Sequence, residues 1–190
     1  MPELIELETE RLRLRQWTPA DRAPFAALNA DPRVMEFLSE PLTRVASDAM
    51  ADRCQALLQE RGWGFWVVEC KASGQFAGFV GLHVPSAALP FSPCVEIGWR
   101  LAAQHWGKGL ATEAAREALR VGFERLGLSE IVSFTALGNA RSRAVMGRLG
   151  MREAGTFEHP HLPEGSPLRP HCLYRLGRDA YLHETSHPAG

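Results

Sequence analysis

Between Glu96 and Ala115 the sequence reads EIGWRLAAQHWGKGLATEAA: a β-rich stretch, a turn with glycines at 107 and 109, then a helical pattern. Glycine lets a backbone turn so that successive N–H groups face one concavity. A helix starting directly behind adds donors with no intrahelical acceptor and about half a positive charge. Such a turn suits a phosphate group, and Lys108 adds a full charge. The same residues also suit a strand-to-helix turn that uses glycine for geometry alone. Two other phosphate motifs are excluded. No Gly-Lys-Ser/Thr follows the spacer of a P-loop, and no G-x-G-x-x-G closes the turn as in a dinucleotide fingerprint.

The chain that must position this turn has 190 residues and a mass of 21.0 kDa, the size of one domain. Apolar residues make up 45% and charged residues 23%, which argues against disorder and fibrous repeats. With 21 Lys+Arg against 22 Asp+Glu, bulk electrostatics give no grip on nucleic acid. No apolar run approaches the ~18–20 residues of a membrane helix. The start, MPELIELETERLRLRQW, lacks the basic and apolar regions of a signal peptide. Cys54, Cys70, Cys94 and Cys172 are scattered without a C-x-x-C pair, so free thiols and a cytoplasmic location are expected.

Period-two alternation around Leu12 and Leu14 predicts a strand. Thr18-Pro19-Ala20-Asp21 reads as a helix start, and Asp31-Pro32 divides the next apolar set into two short helices. A further helix runs from Arg44 to Arg61 and stops at Gly62. Strands are expected over Gly64–Cys70 and Phe76–Val84, joined by the turn Lys71-Ala72-Ser73-Gly74, and again over Val95–Leu101. Helical spacing covers Gly109–Leu126 and Asn139–Leu149, with strands at Ile131–Ala136, Arg152–Glu158 and His171–Leu176. This order predicts a mixed α/β (α+β) domain. It has no internal repeat; its core covers about residues 9–181, and the tail, 182–190, is expected to be disordered.

Gln104-His105-Trp106-Gly107-Lys108-Gly109 resembles the Q/R-x-x-G-x-G/A pyrophosphate loop of the GNAT acyltransferase superfamily. Its extended form, EIGW followed by HWGKGLATEA, is similar to the ribosomal-protein N-terminal (alanine/serine) acetyltransferase branch. A second block agrees: Asn139, Ser142 and Arg148-Leu149-Gly150-Met151 resemble the N-x-x-S…K-L-G-F helix of that branch. The opening TERLRLRQWTPAD and the closing LYRLGRDAY fit it as well, so the resemblance covers roughly Thr9 to Tyr181. Two blocks at the family's separation are far more specific than one glycine turn.

The resemblance implies a GNAT-like fold, a central and mostly antiparallel twisted sheet of about seven strands with a splayed parallel pair, flanked by about four helices. It implies acetyl-CoA as cosubstrate, with no metal, and a primary amine as acceptor, either a protein N-terminus or a small molecule, attacking directly in a ternary complex. Backbone groups of Trp99, Arg100 and Leu101 would pair with the pantetheine arm, and one N–H there would hold the thioester oxyanion. The N–H groups of Gln104, His105, Trp106, Gly107, Lys108, Gly109, Leu110 and Ala111 would take the pyrophosphate, and Asn139 would meet the pantetheine or thiol end. No nucleic acid or membrane partner is implied, and the last strand and tail leave room for a homodimer.

An alkylammonium must lose a proton before it can attack, and Glu96 is the leading base, directly or through water. An ordinary strand carboxylate paired with Arg100 on the same face is the competing view of Glu96. Many family members carry a Tyr seven residues after the Asn, where this chain has Met146; Ser142 holds the proton-donor role in the branch it resembles. A hydroxyl bonding the preceding helical turn is the plain alternative for Ser142. His159, His161 and His171 lack metal-ligand spacing and read as loop residues at an acceptor mouth, with Glu158 and Glu164 as further carboxylates. Cys172 reads as a buried thiol, Trp63, Phe65 and Trp66 as core, and Arg141, Arg143 and Arg148 as a solvated helix face. A non-catalytic acyl-CoA-binding or partner-binding module of the same fold is the competing class.

Overall fold

The computed structural model describes residues 2–186. Leu7–Glu8 (β1) pairs antiparallel with Leu12–Arg15 (β2), and Leu12 and Leu14 are fully buried while Arg13 lies on the wet face. Six further strands come later in the chain: Phe65–Cys70 (β3), Phe76–His83 (β4), Glu96–Leu101 (β5), Glu130–Ala136 (β6), Arg152–Glu158 (β7) and Pro170–Gly177 (β8). They join in the order β1-β2-β3-β4-β5-β6-β8-β7. The sheet is mostly antiparallel; β5 and β6 form the parallel pair, with Glu96 opposite Val132 as their register. The strand count exceeds the expected seven because β1, only two residues long, carries too little pattern to be read.

Among the described residues six helices accompany the strands: Arg22–Ala30 (α1), Pro32–Met35 (α2), Arg44–Arg61 (α3), Leu110–Arg120 (α4), Ala140–Arg148 (α5) and Arg178–Ser186 (α6). Thr18 and Asp21 form the expected start, the Asp21 carboxylate accepting from Thr18 N at 2.7 Å, but the first turn, Pro19–Asp21, is a 3₁₀ turn. Thr43 Oγ1 accepts from Ala46 N, and Gly62 closes α3 at φ +81° with its N–H on the Leu58 carbonyl, as the Gly62 stop predicts. The long helix expected to run to Leu126 ends sooner. After Arg120 a π-turn, Val121–Arg125, takes over, with Leu126 N donating to Val121 O at 2.9 Å. Helix α6 continues to Ser186, and residues 187–190 of the tail lie outside the described residues. No helix among the described residues is long and apolar enough to cross a membrane.

The chain divides into two compact units, residues 2–82 with 98–118 and residues 83–97 with 119–186. In the first, Trp66 is fully buried with its indole N–H on the Ile5 carbonyl at 2.7 Å. Phe25 meets Trp17 and Phe79 edge-on at centroid distances of 5.0 and 5.8 Å, a favoured aromatic arrangement. Arg15 bridges Asp21 at 2.9 Å and Glu69 at 2.6 Å, tying β2 to β3 and to the start of α1. In the second unit, β8 pairs with both β6 and β7, and Phe123 stacks on Tyr181 at 4.6 Å.

At Gly78 β4 packs tightly against β5: its φ is +145°, a Cβ there would run into the Arg100 carbonyl oxygen, and Leu101 Cα would stand 2.8 Å away. Gly78→Ala is expected to destabilise the protein by ~2–4 kcal/mol through backbone strain and overpacking. For a chain of this size that lowers the thermal midpoint by roughly 5–10 °C, read by calorimetry; an unchanged midpoint would show that the strands can part without cost.

Candidate active site

Strand β5 ends at Leu101, a 3₁₀ turn covers Ala103–His105, and α4 starts at Leu110. Between them Gly107 and Gly109 adopt φ +70° and +74°, a left-handed conformation that side chains rarely take. A Cβ at Gly107 would meet nothing within 4 Å, and one at Gly109 would meet only Arg11 Nη2, at 3.6 Å. The loop therefore borders open space, not packed chain. Leu110, Ala111 and Thr112 form the first turn of α4, where N–H groups have no carbonyl behind them in the helix. Two side-chain atoms flanking the loop, His105 Nε2 and Thr112 Oγ1, are buried without a hydrogen-bond partner among the described residues. Burial, with the Lys108 charge second, pushes the His105 imidazole below its ordinary pKa. Left-handed glycines, open space, a helix N-terminus and orphaned polar atoms fit a pyrophosphate.

What holds this loop is not visible in the sequence. Arg11, just before β2, donates from Nη1 to the Lys108 carbonyl at 2.9 Å and from Nε to Glu113 Oε2 at 2.7 Å. Glu113 also accepts from Arg11 N at 2.9 Å and from Thr9 Oγ1, while its own N–H on Gly109 O begins the helix. Burial works to raise the Glu113 carboxyl, but the Thr9 and Arg11 hydrogen bonds outweigh it and leave it below the ordinary range. Trp106 adds a further tie, its indole N–H on the Leu101 carbonyl at 2.9 Å. Arg11 and Glu113 lie about a hundred residues apart in sequence, with no local signal to join them.

Arg100 does not pair with Glu96 in the manner the same-face argument allowed. Its Nη1 donates to Asn29 Oδ1 at 2.8 Å, its guanidinium lies 5.4 Å from the Phe79 ring centre, and burial lowers its pKa to about 10. Glu96, in the second unit, instead meets His83 at the end of β4, with Nε2 3.1 Å from Oε2. Burial raises the Glu96 carboxyl above its usual value, and the His83 hydrogen bond only partly offsets this.

Asn139 caps α5, its Oδ1 accepting from Ser142 N at 3.2 Å while Nδ2 donates to Thr135 Oγ1 at 2.9 Å and to Ser142 Oγ at 3.1 Å. Met146, where a tyrosine acid would stand, is buried. His159 and His171 do come together, ring centres 4.9 Å apart, beside Phe134 and Phe157. Burial, reinforced by the neighbouring imidazoles, lowers His159 to about 4. No metal-holding group of side chains occurs among the described residues. Glu158 pairs with Arg169 at 3.2 Å, Arg143 with Glu153 at 3.0 Å, and Cys172 is fully buried with its thiol pushed up by that burial.

A mixed sheet in which β5 and β6 run parallel, and a glycine loop leading from β5 into a helix N-terminus, make this a mixed α/β domain with a turn that suits a phosphate. Residues 11–152 match the acetyltransferase (GNAT) domain, and the chain belongs to that family of acyltransferase enzymes. It is 34% identical over 191 residues to the FsC-acetyl coenzyme A-N(2)-transacetylase of Aspergillus fumigatus, covering 93% of this chain and 77% of that protein. Its homologues include the putative ribosomal N-acetyltransferase YdaF of Bacillus subtilis, 35% identical over 82 residues and 43% of each chain. A solved GNAT-family acetyltransferase from Bacillus anthracis superposes with a TM-score of 0.78 at 22% identity, covering 92% of this chain and 99% of that one, a likeness of fold.

Glu113→Gln would weaken the clamp that sets the loop without touching the loop itself. The acetyl-CoA dissociation constant is expected to rise about 3–10-fold, the size of ~0.7–1.4 kcal/mol. Titration calorimetry checks this, and an unchanged constant would mean that the loop holds its shape unaided.

Proposed function

We propose that this enzyme transfers the acetyl group of acetyl-CoA to a primary amine by direct attack, holding both substrates at once. The observation that carries this reading is the loop 104–111, whose left-handed glycines border open space at a helix N-terminus. The N–H groups of His105 and Trp106, expected to share in this, instead close the 3₁₀ turn on the Ala102 and Ala103 carbonyls; those from Gly107 to Ala111 would hold the pyrophosphate, and Lys108 would add charge there. Backbone groups of Trp99, Arg100 and Leu101 would bind the pantetheine arm, and Asn139 would meet its thiol end. Bound acetyl-CoA supplies the activated acyl group as a thioester. The name of the Aspergillus relative, an acetyl-coenzyme-A N-transacetylase, supports the same donor and an amine acceptor.

Glu96 is the base in this reading. A carboxylate kept largely from water holds a proton more readily than an exposed one, which suits it to take one from an ammonium near neutral pH. Ser142, hydrogen-bonded to Asn139, would donate a proton toward the departing thiolate. The thiolate leaves readily, since a thiol pKa lies near ~8.5, so the donor assists more than it decides.

Thermal unfolding tests the donor first. At a hundredfold excess over its dissociation constant acetyl-CoA adds ~2.7 kcal/mol, a midpoint rise of roughly 5–10 °C; ATP and NADH should give none. Gly107→Val, which forces a branched side chain into a left-handed position, is expected to weaken acetyl-CoA binding about tenfold or more. Glu96→Gln is expected to leave that affinity intact and to lower turnover by ~10²-fold. Protonating Glu96 removes the base, so wild-type activity falls as pH drops through its raised pKa; the variant loses that limb. A limb that stays in place would put the base elsewhere.

A further inference from the structure

A guanidinium taken out of water is costly unless a carboxylate neutralises it. Arg100 has no such partner among the described residues. The titratable group that acts on it is the Cys54 thiol, which burial itself keeps neutral. Of its nitrogens only Nη1 is engaged, with Asn29 Oδ1 at 2.8 Å and Met50 Sδ at 3.7 Å. Nε and Nη2 form the edge that a carboxylate pairs with two parallel hydrogen bonds. On that edge Nε is buried without a partner, while the residue as a whole keeps part of its surface in solvent. The group is also held still. Asn29, fully buried, donates from Nδ2 to Ser47 Oγ at 3.0 Å, which fixes the direction of its carbonyl oxygen. Phe79, 5.4 Å from the guanidinium carbon, is packed by Phe25 and Phe65 at centroid distances of 5.8 and 4.8 Å. A fork ordered before its ligand arrives binds at a lower entropic cost.

A residue needed only to join β5 to α1 could do so without a charge, since a methionine of similar length needs no partner. The acetyl donor does not supply the missing anion either. Its charge lies in phosphates, expected at residues 107–111, and the pantetheine arm expected beside residues 99–101 is neutral. We propose that Arg100 holds a carboxylate of the acceptor, so that the acetylated amine belongs to a molecule that is itself anionic at one end. A free amino acid and a peptide with an acidic side chain near its N-terminus share this chemistry. The inference rests on the reading of residues 99–101 as the seat of the pantetheine arm. Backbone N–H and C=O groups of a strand lie within the sheet, and its side chains stand out of it. One residue can therefore serve the acetyl donor with its backbone and the acceptor with its side chain.

Two measurements on the intact chain test the site, and the first needs no turnover. The NMR signal of the Arg100 Nε–H, assigned by its loss in Arg100→Lys and Arg100→Met, is followed as acetate or acetamide is added, with and without coenzyme A. Acetate is expected to shift it saturably and acetamide to leave it in place. No saturable shift with acetate in either state overturns the proposal, whatever the enzyme acetylates. The second follows thiol release from acetyl-CoA with alanine, β-alanine and γ-aminobutyrate against their amides. A peptide beginning alanine-glutamate is set against one beginning alanine-glutamine in the same way. The wild type is expected to favour the carboxylate in at least one pair by about 10–100-fold in kcat/KM. Arg100→Met is expected to bring that pair level, and Arg100→Lys, which keeps the charge but loses the fork, to fall between. Whether the preference lies in the amino acids or the peptides names the source of the carboxylate. Equal rates within every pair, or a preference that survives Arg100→Met, overturn the proposal and leave acetyl transfer standing. A chain that answers to acetate but shows no midpoint rise with acetyl-CoA would keep the anion site and remove the donor reading.

Discussion

A loop that offers its backbone N–H groups to an anion must leave them without partners inside the protein, so it cannot hold its own shape by the bonds that shape other turns. Its stiffness has to come from behind. Here that role falls to Arg11 and Glu113. One guanidinium grips the Lys108 carbonyl between the two glycines and the carboxylate in the first turn of α4. Thr9 Oγ1 and Arg11 N complete the coordination of the same carboxylate. The Lys108 and Gly109 carbonyls are used for support, and the N–H groups of His105 and Trp106 are spent on the Ala102 and Ala103 carbonyls, so the turn from Gly107 onward is the part that faces outward. A charge-assisted pair with backbone donors suits this task, because it fixes direction as well as distance. It also explains why the first strands of the chain matter to a site built a hundred residues later.

The carboxylates that partners or burial move from their ordinary range fall into two kinds. Glu8, Asp21, Asp31 and Glu113 are all held below the ordinary range by arginine, lysine or N–H partners; Glu8, Asp21 and Glu113 tie elements together, and Asp31 caps α2 on Arg33. For Asp21, burial pushes the other way, but the Arg15 hydrogen bond and the Thr18 donors outweigh it. Glu96 is different: burial wins, and the opposing pull comes from an imidazole. A structural carboxylate has reason to stay ionised, and a general base has reason to bind a proton easily. The contrast within one chain separates Glu96 from these four more firmly than its place on β5 does.

Much of this is legible in the sequence wherever the cause is local. The Gly62 stop, the hairpin turn through Gly74 and the two left-handed glycines of the loop all follow from residues whose conformational needs are their own. Glu96 stands out by its strand and its chemistry. Its partner does not: a lone histidine at a strand end carries no pattern, and the pairing exists only because the chain brings the end of β4 to the start of β5. Arg11 and Glu113 are hidden for the same reason, each reading as an ordinary surface charge. The end of α4 is hard to place because apolar spacing near 3.6 residues continues through Phe123 and Leu126, while the backbone widens into a π-turn. Helix α6 gives no sequence signal because its anchor, Tyr181 against Phe123 and Glu124, is tertiary.

Asn139 shows why a residue that resembles a functional one needs its structural work subtracted first. Its carbonyl oxygen caps α5 on Ser142 N, and its amide binds Thr135 Oγ1 and Ser142 Oγ. Removing an N-cap alone costs ~1 kcal/mol, so a damaged Asn139 variant loses helix order along with anything it does for a ligand. Ser142 is tied to the same amide, so its orientation depends on that cap. The two residues are one structural unit, and their effects on turnover will not add. Glu96 stands outside that unit, on a strand whose register with β6 is fixed by backbone pairing at Glu96 itself. Replacing its carboxylate with an amide keeps shape and hydrogen bonding while removing the charge, so among the proposed catalytic groups it separates chemistry from folding most cleanly.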